Sequence, residues 1–349
     1  LEAARFQREL DLAWRRSSYS SITAAAHYDA AASAEVGSEP EQPGIEDEPP
    51  VPGGSGGAAE AAEDVVPPED WAVSPLGAVP GGREMGTFVH AVLEGLDFAA
   101  PELSVELDSA MRAARAGGSD VGGDSALLGD GLAIALSTPL GPLLPGVCLR
   151  DIARTDRLDE LTFELPVAGG DAPLGQVSTS DLAVVLDKHL PADGLLAGYP
   201  QRLSDPLLET TLRGYLTGSL DLVFRRTFDD GIQRWFVADY KTNWLGDTGQ
   251  VLTAWHYRPA ALDAEMQRSH YPLQALLYLV ALHRYLGWRV PGYSPDTHLG
   301  GVLYLFLRGM VGTNAPVVDG QPCGVFSWAP PAELIVELSQ LFQRGGPGG

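Results

Sequence analysis

Between positions 218 and 246 the pattern of apolar and polar residues predicts a β-hairpin. Residues 220–226 and 234–241 are apolar runs, rich in the β-branched and aromatic residues that favour strands. The sequence Phe-Asp-Asp-Gly at 228–231 separates them and has the composition of a turn. The pattern therefore predicts two antiparallel strands joined by a tight connection.

Three of the charged residues in these runs are candidates for chemistry. Side chains alternate along a strand, so Asp239 and Lys241 should share one face of the second strand while Tyr240 points to the other. Pairing the strands would bring Asp221, early in the first strand, near Asp239, late in the second. We therefore expect two carboxylates and one ammonium to converge at one end of a small sheet.

Further segments predict helices and one buried strand around the hairpin. Helical spacing predicts a helix over 86–98 with Thr87 as its N-cap, and others near 178–190 and over 331–344. A longer helix is predicted over 264–286, with Pro272 as a candidate break and Gly287 as its stop. The apolar run 300–308 is typical of a buried central strand. Together they indicate an α/β fold in which a mixed central sheet is flanked by helices.

Composition divides the chain into three parts and limits its function. Residues 31–70 contain eleven acidic residues and no Lys or Arg, and we predict a disordered acidic insertion, rich in Pro and Gly, over 31–82. It separates a linker or helical segment at 1–30 from a folded domain at 83–349. The rest of the chain is acidic too, because its formal charge without these eleven residues is −12, compared with −23 for the whole chain. We therefore expect weak DNA binding by this chain alone, with a partner delivering the strand.

Several classes of function find no support in the sequence. The two cysteines, Cys148 and Cys323, form no metal-binding spacing, and no phosphate-binding GxxxxGK[ST] loop is present. No apolar run reaches the length of a membrane span and no signal peptide is visible, so we expect a cytoplasmic protein. Only two lysines occur, Lys188 and Lys241, and this rarity favours a specific need for an ammonium at position 241.

The paired carboxylates and lysine suit the hydrolysis of phosphodiester bonds. Mg²⁺ prefers oxygen ligands and is usually held by one or two carboxylates. Such an ion polarises a phosphate and activates a water, while a nearby lysine can orient that water or offset developing charge. The alternative interpretation is a surface hairpin whose Asp and Lys form an ordinary ion pair.

Five sequence blocks, in family order, resemble the RecB branch of the PD-(D/E)XK nucleases, and specifically the nuclease domain of that branch. They are GTFVHAVLEGLDF at 86–98, GSLDLVF at 218–224, DYKTNWLG at 239–246, QALLY at 274–278 and GGVLYLFLRG at 300–309. The resemblance implies a PD-(D/E)XK, restriction-endonuclease-like fold. It also implies a Mg²⁺ site formed by His90, Asp221 and Asp239, with Lys241 acting on the attacking water.

The same resemblance assigns further residues, with alternatives. Glu160, in RLDELTFELP at 157–166, matches the accessory acidic residue, and Glu164 is a second candidate. Gln274 and Tyr278, four residues apart on one helix face, would brace the site or contact DNA. Apart from the resemblance, the position of Arg308 at the end of the predicted strand 300–308 offers two roles: facing DNA phosphate, or capping the sheet in an ion pair.

The function implied by the resemblance is a metal-dependent exodeoxyribonuclease that hydrolyses unwound DNA during the repair of double-strand breaks. Implied partners are DNA, the RecC and RecD subunits, RecA, and helicase domains that would precede Leu1 in a longer chain. The sequence leaves two alternatives open. One is an AddA-like or AdnB-like nuclease of a related complex, and the other is a catalytically silent module that docks partners.

Overall fold

A computed structural model describes residues 13–28, 71–118, 124–171, 174–247 and 249–346 of the chain, without the side chains of 25–28. Residues 1–12, 29 and 30 of the predicted linker or helical segment therefore lie outside the described residues, and so do residues 31–70 of the predicted insertion. In the part described, helices lie on both sides of one six-stranded mixed sheet. This arrangement is consistent with a PD-(D/E)XK-like fold and confirms the predicted fold class.

Six strands form the central sheet, in the order β1-β5-β6-β7-β10, with β2 also paired to β5. Strands β2, β5 and β6 are antiparallel neighbours, β6 and β7 run parallel, and β10 is antiparallel to β7. Two small two-stranded sheets pair β3 with β4 and β8 with β9. The strands are β1 Arg15–Ser17, β2 Arg157–Val167, β3 Val177–Ser178, β4 Thr211–Leu212, β5 Gly214–Thr227, β6 Gln233–Lys241, β7 Leu299–Phe306, β8 Val317–Val318, β9 Gln321–Pro322 and β10 Val325–Trp328.

Helices cover the two faces of this sheet and bury two apolar cores. One core is built largely with α2, α3 and α4, and the other with α1, α5, α7, α8 and α10. The helices are α1 Tyr19–Tyr28, α2 Arg83–Gly95, α3 Leu103–Ala116, α4 Ser125–Leu136, α5 Thr179–His189, α6 Tyr199–Leu203, α7 Pro259–Arg268, α8 Tyr271–Arg289, α9 Pro295–His298 and α10 Ala332–Arg344. None of the described helices combines the length and apolar character that crossing a membrane requires.

The predicted hairpin is present, and its pairing stops where the charged residues begin. Strands β5 and β6 pair from Thr227 and Gln233 as far as Leu222 and Ala238. The short strand β1 pairs with the other end of the same edge of β5, at residues 214–216. No strand of the described residues pairs with positions 217–221 on that edge. Asp221 and Asp239 therefore lie where β5 and β6 separate.

Two predicted helix boundaries differ from the structure, because helix ends depend on local packing that the spacing of apolar residues does not encode. Helix α2 begins at Arg83, one turn before the predicted start, and its N-cap is Gly82 rather than Thr87. The predicted long helix is two helices, α7 and α8, separated at His270, which adopts a left-handed conformation with φ 54°. The break near Pro272 is thus confirmed, whereas Gly287 does not stop α8, which continues to Arg289.

The structure also changes the extent of the folded region. Residues 71–82, which we expected within the disordered insertion, pack onto the domain and bury Leu76 and Val79. The Arg308 guanidinium holds this segment by donating to the carbonyls of Leu76, Val79 and Pro80 at 2.6–2.9 Å. Arg308 is 2% exposed, so it does not face a DNA phosphate. Its hydrogen-bond acceptors among the described residues are carbonyl groups and not a carboxylate, so the alternative of a capping ion pair is not observed either. Part of the predicted N-terminal linker is likewise ordered, because β1 extends the sheet.

Candidate metal centre

The candidate site lies at the point where β5 and β6 separate, and three elements contribute to it. His90 comes from α2, Glu160 from β2 and Asp221 from β5. One potential ligand atom from each of these residues lies within 4.8 Å of the other two. A nitrogen and two carboxylate oxygens at this separation can surround a single divalent cation. This donor set therefore fits a divalent cation.

Glu160 and Asp221 occupy an irregular point in the pairing of β2 with β5. Asp159 pairs with Leu222 and Leu161 with Leu220, which places Glu160 opposite Asp221. Glu160 has φ 49°, a left-handed conformation that is rare for a residue with a side chain. A strained backbone of this kind costs about 1–3 kcal/mol and tends to persist at functional sites.

The alternation of side chains reverses at this same point in both strands. On β5, Leu216 and Leu220 belong to the core beneath α8, whereas Leu222 belongs to the core beneath α2. On β2, Arg157 stacks on Phe98 of the α2 core, whereas Leu161, Phe163 and Leu165 pack against the α8 core. The two carboxylates therefore sit where the strands change faces, half-buried rather than within either core.

The contacts of His90 fix its orientation and its tautomer. Its Nε2 lies 3.0 Å from the carbonyl oxygen of Tyr240, which can only accept, so Nε2 carries the proton and donates. In a neutral imidazole, Nδ1 then holds the free electron pair, and it lies 3.5 Å from Oδ1 of Asp221. A metal-binding histidine is commonly oriented in this way, by a hydrogen bond from its other ring nitrogen. The arrangement supports His90 as a nitrogen ligand through Nδ1.

Asp221 is held as a charged acceptor. Its Oδ2 accepts a hydrogen bond from the backbone N–H of Tyr240 at 2.9 Å. Burial raises the pKa of its carboxyl. When His90 is protonated and no cation is bound, the charge and hydrogen bond of His90 and the charge of Lys241 outweigh this effect, so the pKa lies below its usual value. Asp221 thus remains ionised at neutral pH, as a metal ligand must be.

Asp239 and Lys241 form a second, more deeply buried part of the site. Their side chains are each 2% exposed, and Lys241 Nζ lies 2.8 Å from Oδ2 of Asp239. Burial raises the pKa of Asp239 to about 7, since the attraction of Lys241 offsets desolvation only in part and the charge of Asp221 opposes ionisation. Asp239 lies beside the His90–Glu160–Asp221 group rather than within it, and its Oδ2 is directed to the lysine.

Glu160 is the third carboxylate near the cation position. Its Oε2 accepts a hydrogen bond from the Ser219 hydroxyl at 2.7 Å, while burial raises the pKa of its carboxyl. The alternative residue, Glu164, is exposed and pairs with Arg16 on the surface at 2.9 Å. The geometry favours Glu160 over Glu164 as the accessory acid.

Helix α8 braces the site from the face of the sheet to which Asp239 and Lys241 point. Gln274 is fully buried, donates to the Tyr278 hydroxyl at 3.0 Å and accepts from the Tyr304 hydroxyl at 3.0 Å. Tyr278 is 1% exposed. Neither side chain is placed to contact DNA, so burial favours the bracing role over the DNA-binding one.

Sequence reasoning did not single out several residues that surround these groups. Ser219 bonds Glu160, and Tyr271 and Tyr304 lie against Lys241. Ser219 could have been identified by its position two residues before Asp221, on the same strand. Tyr271 carries no comparable signal, because it lies 30 residues beyond Lys241 and reaches the site through the packing of α8.

The fold and the site together define a class of protein: an α/β fold of the PD-(D/E)XK type, with acidic residues and a lysine where two central strands separate. No family model matches the chain. Its relatives are RecB subunits of the RecBCD enzyme. The subunit from Mycolicibacterium smegmatis is 46% identical over 350 residues, which cover 99% of this chain and 31% of the relative.

Two other relatives agree with this match. The RecB subunit from Mycobacterium tuberculosis is 45% identical across 99% of the chain, and that from Escherichia coli is 34% identical across 75% of it. The chain belongs to the RecB family. It spans about a third or less of the length of these relatives, 31%, 30% and 19% respectively.

Proposed function

We propose that this chain is a Mg²⁺-dependent DNA nuclease domain that hydrolyses phosphodiester bonds of unwound DNA. The observation that carries the proposal is the convergence of His90, Glu160 and Asp221 within 4.8 Å, beside the Asp239–Lys241 pair. Similarity to RecB along 99% of the chain supports a role in DNA repair. A site that places a nitrogen, three carboxylates and an ammonium around one point has the chemistry that phosphate hydrolysis requires.

The ligand set proposed here combines the sequence prediction with the geometry. His90 and Asp221 hold the ion together with Glu160, and Asp239 completes the set when its carboxylate turns from Lys241. A divalent ion at this position supplies Lewis-acid polarisation of the phosphate and lowers the pKa of a water. The negative charges of these buried carboxylates repel one another. A bound cation would offset this repulsion and so allow the fold to hold them close together.

Lys241 has the second chemical role in the proposal. Its ammonium orients the attacking water or stabilises the negative charge that develops on the phosphate oxygens. Because the side chain is buried, its charge acts in a poorly hydrated environment and is screened little by salt. The reaction class is exodeoxyribonuclease, acting on DNA strands released by a helicase.

The proposed partners are inferred from the relatives, and they include other subunits and the remainder of a RecB-type subunit. We propose that the chain functions in the cytoplasm within a RecBCD-type complex, with RecC, RecD and the remainder of a RecB-type subunit, and that RecA is loaded onto the product strand. The acidic charge of the chain favours delivery of the strand by these partners rather than independent capture. An AddA-like or AdnB-like nuclease is the alternative within the same class.

The alternative from another class is a silent docking module. It is disfavoured because docking gives no reason to retain a left-handed Glu160 beside Asp221 and a buried Lys241. Cleavage of single-stranded DNA separates the two, measured with Mg²⁺, with Ca²⁺ and with Asp239→Ala in Mg²⁺. We expect cleavage only by the unaltered chain in Mg²⁺. The absence of cleavage in Mg²⁺, both by the chain and by an assembled complex containing it, would support the docking module.

A further inference from the structure

The ammonium group of Lys241 is enclosed by two aromatic rings as well as by Asp239. Its Nζ lies 4.3 Å from the ring centroid of Tyr271 and 5.7 Å from that of Tyr304. Both distances are within the range of a cation–π contact. Asp239 Oδ2 approaches the same nitrogen at 2.8 Å. The lysine is thus held by one carboxylate and by the faces of two tyrosines.

These rings are themselves held in place by neighbouring groups. Tyr271 and Tyr304 are stacked, with centroids 5.4 Å apart and planes inclined by 23°. The Tyr304 hydroxyl lies 3.1 Å from the carbonyl of Tyr271 and 3.0 Å from Oε1 of Gln274. Asn243 donates from Nδ2 to the Tyr271 hydroxyl at 3.2 Å. The rings therefore form a fixed aromatic pair that spans β7 and the start of α8.

A second network behind Asn243 fixes the end of β6. The same Nδ2 of Asn243 donates to Oε1 of Glu265 at 3.0 Å. Glu265 is 4% exposed and also accepts from the Ser269 hydroxyl at 2.8 Å. This ties α7 to the residue that follows Lys241 by two positions. Both the lysine and its aromatic surroundings are consequently anchored from α7 and α8.

The aromatic pair is important because Asp239, which contacts the Lys241 ammonium, is also a proposed metal ligand. In the proposed function Asp239 turns towards the metal, and the ammonium then loses part of its attraction. The electron-rich ring faces remain, and they attract a cation without competing for the metal. The compact ammonium can approach such faces while directing its remaining N–H groups towards substrate.

We infer that Tyr271 and Tyr304 are positioning residues, which hold the Lys241 ammonium beside the metal site when Asp239 engages the ion. The inference rests on the proposed function for its catalytic consequence, whereas the enclosure of the ammonium is a property of the fold. Neither ring touches the reacting atoms in this role. Both act through the placement of Lys241.

Three variants of the whole chain test the inference through kcat and KM for single-stranded DNA. Tyr271→Leu removes the ring face, and we expect kcat to fall about 10- to 30-fold with KM for DNA nearly unchanged. Tyr271→Phe keeps the ring face and loses only the hydroxyl, so it should retain most of the activity. Tyr199→Leu removes a buried tyrosine of the same core, which lies against His270, and controls for cavity formation.

A second readout is independent of cleavage and uses the rarity of lysine. In a chain labelled with ¹³C at the lysine side chain, NMR should give signals from Lys188 and Lys241 alone. Ring currents should shift the Lys241 side-chain protons upfield, and this shift should survive Tyr271→Phe and Tyr199→Leu but collapse in Tyr271→Leu. Lys188, which pairs with Glu337 on the surface, is the internal reference.

The two readouts separate the possible failures. A missing ring-current shift in the unaltered chain would overturn the enclosure, and so would a shift that Tyr271→Leu leaves intact. A lost shift with unchanged kcat in Tyr271→Leu would overturn the positioning role and leave the nuclease proposal standing. An unaltered chain that shows the shift but cleaves no DNA, alone or in its complex, would overturn the proposed function and support the enclosure alone.

Discussion

At the scale of single residues, the most informative feature is the conformation of Glu160. An L-residue in the left-handed region within a strand is unfavourable, and nothing in the pairing of β2 with β5 requires it. The distortion lies opposite Asp221, at the point where both strands change the faces to which their side chains point. The strain is explained if the position of the carboxylate, rather than the stability of the strand, determines this geometry.

The role of Glu160 can be tested with an isosteric change. Glu160→Gln removes the charge and keeps the shape, so we expect affinity for Mn²⁺, used as a probe of the Mg²⁺ site, to fall about tenfold or more. Isothermal titration calorimetry on the chain would measure this directly. Glu164→Gln, the same substitution on an exposed position of the same strand, is the matched control. Equal affinities for the two variants would remove Glu160 from the ligand set.

At the scale of elements, the segment before α2 is held to the end of β7 by a single buried arginine. Arg308 donates to the carbonyls of Thr242, Leu76, Val79 and Pro80, and its own carbonyl accepts from the Ser74 hydroxyl at 2.5 Å. A buried guanidinium satisfied entirely by carbonyl groups fixes loop geometry. It also connects residues 71–82 with the loop that follows Lys241.

We therefore expect Arg308→Leu to act on stability. The substitution leaves several buried carbonyls without a donor, and the free energy of unfolding should fall by about 3 kcal/mol or more. Urea unfolding of the variant would measure this. Arg16→Leu, which removes a surface ion pair, should change it by less than about 1 kcal/mol. Similar losses in the two variants would contradict the role of Arg308 in holding residues 71–82 to the end of β7.

Gln274 on α8 offers a second test at this scale. Gln274→Leu removes the partner of two buried tyrosine hydroxyls, so unfolding should become easier by about 1–3 kcal/mol. Because Gln274 is fully buried, the affinity for DNA, measured by fluorescence anisotropy, should be unaffected while kcat falls. A variant with weaker DNA binding and normal stability would instead support the contact with DNA.

The sequence predicted the elements more fully than the contacts between them. The hairpin, the buried strand β7, α10 and the break before α8 followed from alternation, helical spacing and a proline. Strand β1, only three residues long, has no periodicity that could predict it. The packing of residues 71–82 depends on Arg308, more than 220 positions away, and composition alone suggested disorder there.

In the candidate site, likewise, local patterns predicted some of the residues but not the contacts between distant elements. Alternation placed Asp239 and Lys241 on one face, and hairpin pairing brought Asp221 to the same end of the sheet. His90 and Glu160 came only from a family resemblance, since a single His on a helix or Glu in a strand carries no signal of its own. The left-handed turn at Glu160 and the aromatic enclosure of Lys241 depend on tertiary contacts that no local pattern encodes.

At the scale of the whole molecule, charge is the dominant feature. A formal charge of −23 repels a polyanion, and the site itself contributes carboxylates until a cation occupies it. Chains with such a balance do not concentrate DNA on their surfaces. The acidic character therefore fits a domain to which the strand is delivered.

This predicts weak DNA binding by the chain alone. With Mg²⁺ replaced by Ca²⁺ to prevent cleavage, we expect a dissociation constant for a single-stranded oligonucleotide of about 10⁻⁵ M or weaker at physiological salt. The logarithm of the binding constant should fall with the logarithm of salt concentration with a slope no steeper than about −3, because few phosphates are contacted. Anisotropy titrations over a salt series would show this. Nanomolar binding with a steep slope would contradict delivery by partners.

The central claim is that a divalent ion binds where β5 and β6 separate, and its most direct test is to locate that ion. Crystals grown with Mn²⁺ and measured at a wavelength that gives anomalous scattering would show the position of the metal. We predict one ordered ion coordinated by Nδ1 of His90 and by carboxylate oxygens of Glu160 and Asp221, with the Asp239 carboxylate turned from Lys241 towards the ion. An ordered ion elsewhere, or none at this position at saturating Mn²⁺, would contradict the account.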